Sequence, residues 1–284
     1  MLAIAFSSFK EAVRKKIILI IGILTVLYLI LFTIVINYAM TEMKRDHFGG
    51  MEIIANVSGF ISIIGFYFSS MIVAFITIMA SVGVVSSDIE NGIIHAVISK
   101  PIKRTEYILG KYLGIAAMAV GYSSFLYVFL VAINFAFKIP PLNAISPESF
   151  FPGLALFCFE PLALLSLCLF GSVCWKTMNN GIIVIGVYIL GIIGGMMEQI
   201  GFIIKLDGLT QWGIVISFLS PFESVYRKMM SVTYSSMNII GSNIAGPFFM
   251  SKNVPSAWMM VYALLFWAAF VLLAVRKFSH KDIS

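Results

Sequence analysis

The chain has 284 residues, 60% of them hydrophobic and only 11% charged, with a mean hydropathy of +1.00. Soluble domains lie nearer about 45–50% apolar and about 25% charged, so a water-soluble globular fold is excluded and lipid is the expected solvent. The net charge of +6 would suggest nucleic acid in a soluble protein; here Lys and Arg cluster at the ends of apolar runs, the pattern that orients membrane helices, and no nucleic-acid partner is expected.

In the first sixteen residues Phe6, Phe9 and Val13 recur at helical spacing, while Lys10, Glu11 and Arg14 take other faces. This predicts a short amphipathic helix lying on the membrane surface. The apolar run that follows, Ile17–Tyr38, is longer than the about 7–15 residues of a signal-peptide core and reads as a retained helix. At about 20 residues per crossing the chain accommodates about six spans. They are placed at Ile17–Tyr38, Phe60–Val85, Ile108–Phe137, Gly153–Trp175, Gly181–Ile203 and Ala257–Val275. The third exceeds what a bilayer requires, so one end is expected to project or the helix to tilt. The apolar segments are continuous, not alternating, which argues against a β-barrel. The fold class is thus an all-α membrane protein, a single transmembrane domain over residues 1–284.

Orientation follows from the basic residues. With the N-terminus inside, Lys10, Arg14, Lys15, Lys16, Lys100, Lys103, Arg104, Lys111, Lys176, Arg276, Lys277 and Lys281 fall inside. Lys44, Arg45, Lys138, Lys205, Arg227, Lys228 and Lys252 fall outside, largely in longer loops where the bias is weaker. A multi-pass protein of the cell membrane with both termini cytoplasmic is predicted. The external stretch 204–256 contains an apolar run, Trp212–Phe222, that is too short to span and is expected to be re-entrant or interfacial. The rest of that stretch reads only as an external cap.

No catalytic signature is found. There is no GxxxxGK[ST] phosphate loop: Gly110-Lys111 is followed by Tyr112 and lacks the upstream glycine. HExxH and GxSxG are absent too, and His47, His95 and His280 lie far apart in sequence. Cys158, Cys168 and Cys174 share one apolar segment without CxxC spacing, so neither a disulfide nor a metal site is expected. The clearest ionisable residue within a span is Glu160, followed by Pro161, about 10 Å from the external end if the helix starts at Gly153. Two readings stand for it, a polar group lining a substrate pathway or supporting a kink, and a hydrogen-bonded residue near the outer interface. Glu198 reads as interfacial, and the GxxxG of Gly191 and Gly195 as ordinary packing within the chain.

The most informative segment is the inside connection from Ser86 to Lys111. Ile89, Ile93, Ile94, Val97 and Ile98 cover about half a helix circumference, with Glu90 breaking the pattern. Pro101 should end that helix, and Thr105 is the expected cap of the next. Acidic Asp88 and Glu90 precede Asn91-Gly92. An apolar stretch follows, and then Lys-Pro-Ile-Lys-Arg-Thr-Glu-Tyr-Ile-Leu-Gly-Lys, from Lys100 to Lys111. With the basic amphipathic N-terminus, the six spans and Ser220-Pro221-Phe222 before the last span, this resembles the ABC-2-type permeases of ATP-binding-cassette exporters. Ile93 departs from the pattern, since many relatives carry Thr there.

The resemblance implies a permease domain, without enzymatic activity of its own, that pairs as a homodimer beside membrane lipid. It implies a separate nucleotide-binding ATPase subunit docked on the cytoplasmic face, with ATP bound there and no cofactor on this chain. Carried over, Asp88, Glu90, Asn91 and Gly92 are the coupling candidates, with Lys100, Lys103 and Arg104 in a neighbouring ionic or lipid-facing role. The nearly uncharged spans suit a lipid, peptide or other amphipathic cargo, or force transmission to an extracytoplasmic partner. A layout shared with permeases linked to copper-enzyme maturation is conceivable, although no Met or His cluster argues for copper. The alternatives are a secondary transporter with Glu160 in its pathway, and a non-transporting membrane scaffold or intramembrane enzyme.

Overall fold

The computed structural model describes residues 1–14, 16–45, 51–94, 103–137, 147–234 and 254–281, and among them all regular structure is helical. The helices are α1 (Leu2–Arg14), α2 (Lys16–Arg45), α3 (Met51–Ser81), α4 (Ser86–Glu90), α5 (Arg104–Ala136), α6 (Pro147–Cys174), α7 (Thr177–Ile204), α8 (Asp207–Leu219), α9 (Phe222–Thr233) and α10 (Ala257–Ser279). Six helical stretches among the described residues are long and apolar enough to cross a membrane: Ile18–Glu42, Val57–Glu90, Arg104–Ala136, Glu148–Cys174, Thr177–Ile204 and Ala257–Ser279. They coincide with the six expected spans. A backbone in hydrocarbon must satisfy its own hydrogen bonds, which is why long apolar runs are so reliably helical.

The organising element is α6, which packs against α3, α5, α7, α9 and α10. Hydrophobicity does not drive helices together in lipid; close approach by small residues does. Ala163, Ser166, Cys168 and Ser172 of α6 are accordingly all fully buried. Gly171 lies so close to Asn180 of α7 that a Cβ there would overlap the Asn180 side chain. Asn180 in turn donates to the carbonyls of Val82, at 2.7 Å, and Cys168, at 3.0 Å. Toward one end, Phe66, Tyr127, Phe157 and Tyr226 form an aromatic core; toward the other, Tyr107, Ile108, Leu165, Leu169 and Phe278 form a second.

The latter end carries both termini, because α1 packs along the start of α5 and Phe278 of α10 stacks on Tyr107. It is called the terminal face below. α1 is helical as expected, but its apolar positions divide. Ser8 and Ala12 are buried toward the protein, and Cβ atoms at Gly110 or Gly114 of α5 would strike α1. Phe6, at 70% exposure, points away from the bundle with Val13.

Residues 205–234, the described part of the chain that follows α7, pack into the bundle, and residues 235–253 of the expected external cap lie outside the described residues. After Lys205, a left-handed C-cap with φ 57°, α8 turns back along α7. The order of approach shows the antiparallel run: Gly201 meets Thr210, Glu198 meets Gly213, Gly194 meets Ile216, and Gly191 meets Ser220. Gly191 is near the middle of α7, so α8 descends about 20 Å before it stops. Ser220-Pro221 makes the break, and α9 climbs back along α6 until Thr233 meets Gly153. The expected re-entrant segment is therefore a helical hairpin. Its non-helical apex sits at membrane depth because Ser220, Pro221 and Phe222 are all buried in protein.

Three local expectations change. α5 begins at Arg104 with Lys103 in the cap position and no side-chain cap bond, so Thr105 is not the cap. The helix expected through Ile89–Ile98 is interrupted: α4 ends at Glu90, Asn91 and Gly92 form a turn, and Ile93 and Ile94 are helical again. Gly92 permits that turn through its positive φ of 70°, a conformation costly for residues with a Cβ. Val97, Ile98 and Pro101 lie outside the described residues. Finally, α6 starts at Pro147 and runs unbroken through Pro152 and Pro161. Glu160 is therefore about 20 Å from its start, deeper than expected.

Candidate functional site

The α3–α5 connection stands out on the terminal face because its backbone is fastened on three sides while its tip is free. Where α3 ends, the turn at residues 82–85 leaves N–H groups without helical partners. Ser172 of α6 meets them, its Oγ accepting from the N–H of Val85 at 2.8 Å and of Ser86 at 2.9 Å. Ser86 and Thr177 share a hydroxyl hydrogen bond of 2.7 Å.

Asp88 and Glu90 then point in different directions. Asp88 is 5% exposed and pairs with Lys111 of α5, itself 7% exposed, at 2.9 Å. Lys111 also meets Glu11 of α1 at 3.1 Å, and Tyr107, one turn before Lys111 on α5, donates its hydroxyl to Asp88. One lysine thus joins three separate helices. The exposed Glu90 accepts from the N–H of Thr177 at 2.8 Å and from its hydroxyl at 3.3 Å. A carboxylate at a helix N-terminus satisfies an orphan donor and complements the helix dipole. α7 has no side-chain cap of its own, so Glu90 supplies one from a distance.

The surface is closed by the chain ends. Arg104 donates to the carbonyls of Ser279, at 3.3 Å, and Lys281, at 2.8 Å. Lys281 donates to Val173 at the end of α6, 2.7 Å away. Lys103 is exposed, and Lys100 lies outside the described residues. Among the described residues, the exposed tip beyond Glu90 consists of Asn91, Gly92 and Ile93. Behind it the segment is bonded to α7 through Thr177, to α6 through Ser172, and to α5 and α1 through Lys111.

Glu160 lies apart from this surface. It is 2% exposed, and the Ser70 hydroxyl of α3 donates to both its oxygens at 2.7 and 2.8 Å. Tyr67, Tyr188 and Glu223 of α9 lie within electrostatic reach of it. Glu198, near the end of α7, is buried in protein and forms an ion pair of 2.6 Å with Arg227 of α9. From sequence, Arg227 falls in an external loop. Only its spacing within the amphipathic run Phe222–Thr233, where Val225, Tyr226, Met229 and Met230 are also buried, hints at an inward position.

Compared with known families, residues 2–283 match the model described as ABC-2 family transporter protein. No curated protein shows significant similarity to the chain.

Proposed function

The chain belongs to the ABC-2 transporter family, and on that premise we propose that it is the permease subunit of an exporter whose ATP hydrolysis takes place on a separate ATPase subunit. Membership makes it the membrane permease of an ABC transporter; the ATPase, the homodimer and the direction of transport are the proposal. The terminal face is taken as cytoplasmic and the membrane as the cell membrane. Two copies pair, and an ATPase dimer docks at the Asn91–Ile93 tips, with Glu90 at their base.

The observation that supports this reading is a free tip on a rigid base. Asn91, Gly92 and Ile93 are exposed, while Asp88 behind them is locked to Lys111 and Glu90 to Thr177. ATP-driven closure of the partner draws the tips together. These pairs and the Ser172 hydrogen bonds carry that displacement into α5, α7 and α6, switching the pathway between inward and outward states. Lys103 and Arg104, with Lys100, border the docking surface. ATP stays on the partner and this chain needs no cofactor. The cargo is a lipid, peptide or other amphipath, or the output is force on an extracytoplasmic partner. Glu160 would act as a polar group along the pathway.

Co-purification with the ATPase tests the reading. Asn91→Trp and Ile93→Asp, both at exposed positions, should release the ATPase subunit and abolish ATP-dependent transport at unchanged thermal stability. Full ATPase retention and transport in both variants would exclude the tip as the docking site. A secondary transporter would instead work without ATP and fail on Glu160→Gln.

A further inference from the structure

The helix α1 divides into three faces, and one of them meets protein. Ser8 and Ala12, one turn apart and buried, share the face turned to α5, where Ser8 lies against Gly114. Leu2, Phe6, Phe9 and Val13 fall within about 60° of one another on a second face at 3.6 residues per turn, and all four side chains are exposed. Lys10 and Arg14, again one turn apart and exposed, border that stripe on the side away from Ser8. We propose that α1 is a binding surface for anionic phospholipid of the leaflet at the terminal face. Lys10 and Arg14 meet the headgroup phosphates, and the stripe of Phe6 and its neighbours lies among the acyl chains. Nothing in this depends on an ATPase docking at the tip.

The depth of α1 is set from two sides. Ile18, four residues beyond Arg14, opens the first span. Gly114, which Ala5 and Ser8 approach, is about 15 Å along α5 from Arg104. With 33 residues, α5 is about 50 Å long against about 30 Å of hydrocarbon, so its first turns project and Gly114 lies near the boundary. α1 therefore runs where the spans enter the bilayer, and its apolar stripe has lipid beside it, not water. An amphipathic helix at that level is held by its buried apolar area and by attraction between its cations and anionic lipid.

Charge selects the lipid. Lys10, Arg14 and Lys16 are exposed, and among the described residues none of them pairs with a carboxylate. The acidic groups described on the same face are Glu11 and Asp88, both on Lys111, Glu90 on Thr177, and Glu106 in the first turn of α5. A zwitterionic headgroup brings its own cation to this surface, whereas an anionic one leaves its phosphate charge to Lys10 and Arg14. Glu11 belongs to the same helix and shares Lys111 with Asp88, so lipid that holds α1 also steadies the base of the tip.

Native mass spectrometry of the full-length protein, with phosphatidylglycerol and phosphatidylcholine in equal amounts, tests this. Wild type should retain phosphatidylglycerol in preference. Lys10→Gln with Arg14→Gln should lower that preference about thirtyfold, the loss of two cations at a bilayer surface. Lys205→Asn removes an exposed cation at the opposite end of the bundle and should leave the preference unchanged; Asn suits its left-handed backbone. In nanodiscs, phosphatidylglycerol should raise the unfolding temperature of wild type above that in phosphatidylcholine alone, and should not do so in Lys10→Gln with Arg14→Gln. No preference in wild type, an equal loss in Lys205→Asn, or a preference that survives Lys10→Gln with Arg14→Gln would each overturn the proposal. Loss of a bound ATPase subunit from that double variant, with its lipid preference intact, would assign the face to protein instead.

Discussion

Lys111 is the residue on which the terminal face turns, because three helices meet at one ammonium. Removing it by Lys111→Met leaves the Asp88 carboxylate buried with Tyr107 as its remaining partner. Breaking a buried pair from one side costs about 3–5 kcal/mol, and thermal unfolding in detergent should register a loss of that order. Glu11→Gln should cost under about 1 kcal/mol, since the Glu11 side chain is half-exposed and its attraction is screened. If both variants unfold alike, the buried pair is not what fastens α4. Neither partner's role was legible in the sequence. Lys111 read as one more inside charge and Asp88 as docking surface. Their meeting depends on the turn at residues 82–85, which Ser172 stabilises from another helix. Glu90 was visible as a break in the apolar pattern, yet its partner Thr177 lies at the start of α7, where no local pattern points to it.

Among the elements, the α7–α8 hairpin makes the sharpest demand on side-chain size. At Gly213 a Cβ would press on the backbone N and Cα of Glu198, atoms that cannot move aside without shifting α7. Gly213→Val should therefore displace α8, at a cost of about 1–3 kcal/mol for overpacking, and loosen the Glu198–Arg227 pair. Gly186→Ala is the control: nothing lies within 4 Å of its added Cβ, and stability should not fall. Thermal unfolding of the two variants side by side checks this, and equal losses would sink the packing argument. The glycines of α7 were legible as a close-packing stripe, and they do serve contacts within the chain, with Ser220, Ile216 and Glu223. The destination of α9 was not legible. Its Glu223, Arg227 and Lys228 make it polar on average, and burial of such a helix is decided by partners on α6 and α7, not by its own composition.

At the scale of the whole molecule the spans were the most legible feature, because hydrocarbon imposes a length and a composition on every crossing segment. Six crossings place both termini on one face, and the basic residues then choose which face. Lys10, Arg14, Lys16, Lys103, Arg104, Lys176, Arg276 and Lys277 gather at the terminal end, whereas Arg227, counted outside from sequence, is neutralised in the interior by Glu198. The positive-inside bias is therefore stronger in the folded chain than in the sequence, which favours a cytoplasmic terminal face. Single cysteines in a background lacking Cys158, Cys168 and Cys174 can test this. Gly208→Cys lies at the exposed start of α8, where nothing crowds an added side chain, and Asn91→Cys lies on the exposed tip. A membrane-impermeant maleimide should label Gly208→Cys in intact cells and reach Asn91→Cys only after the membrane is opened. The opposite pattern would place the tip outside the cell, away from ATP, and the docking of an ATPase there would fail with it.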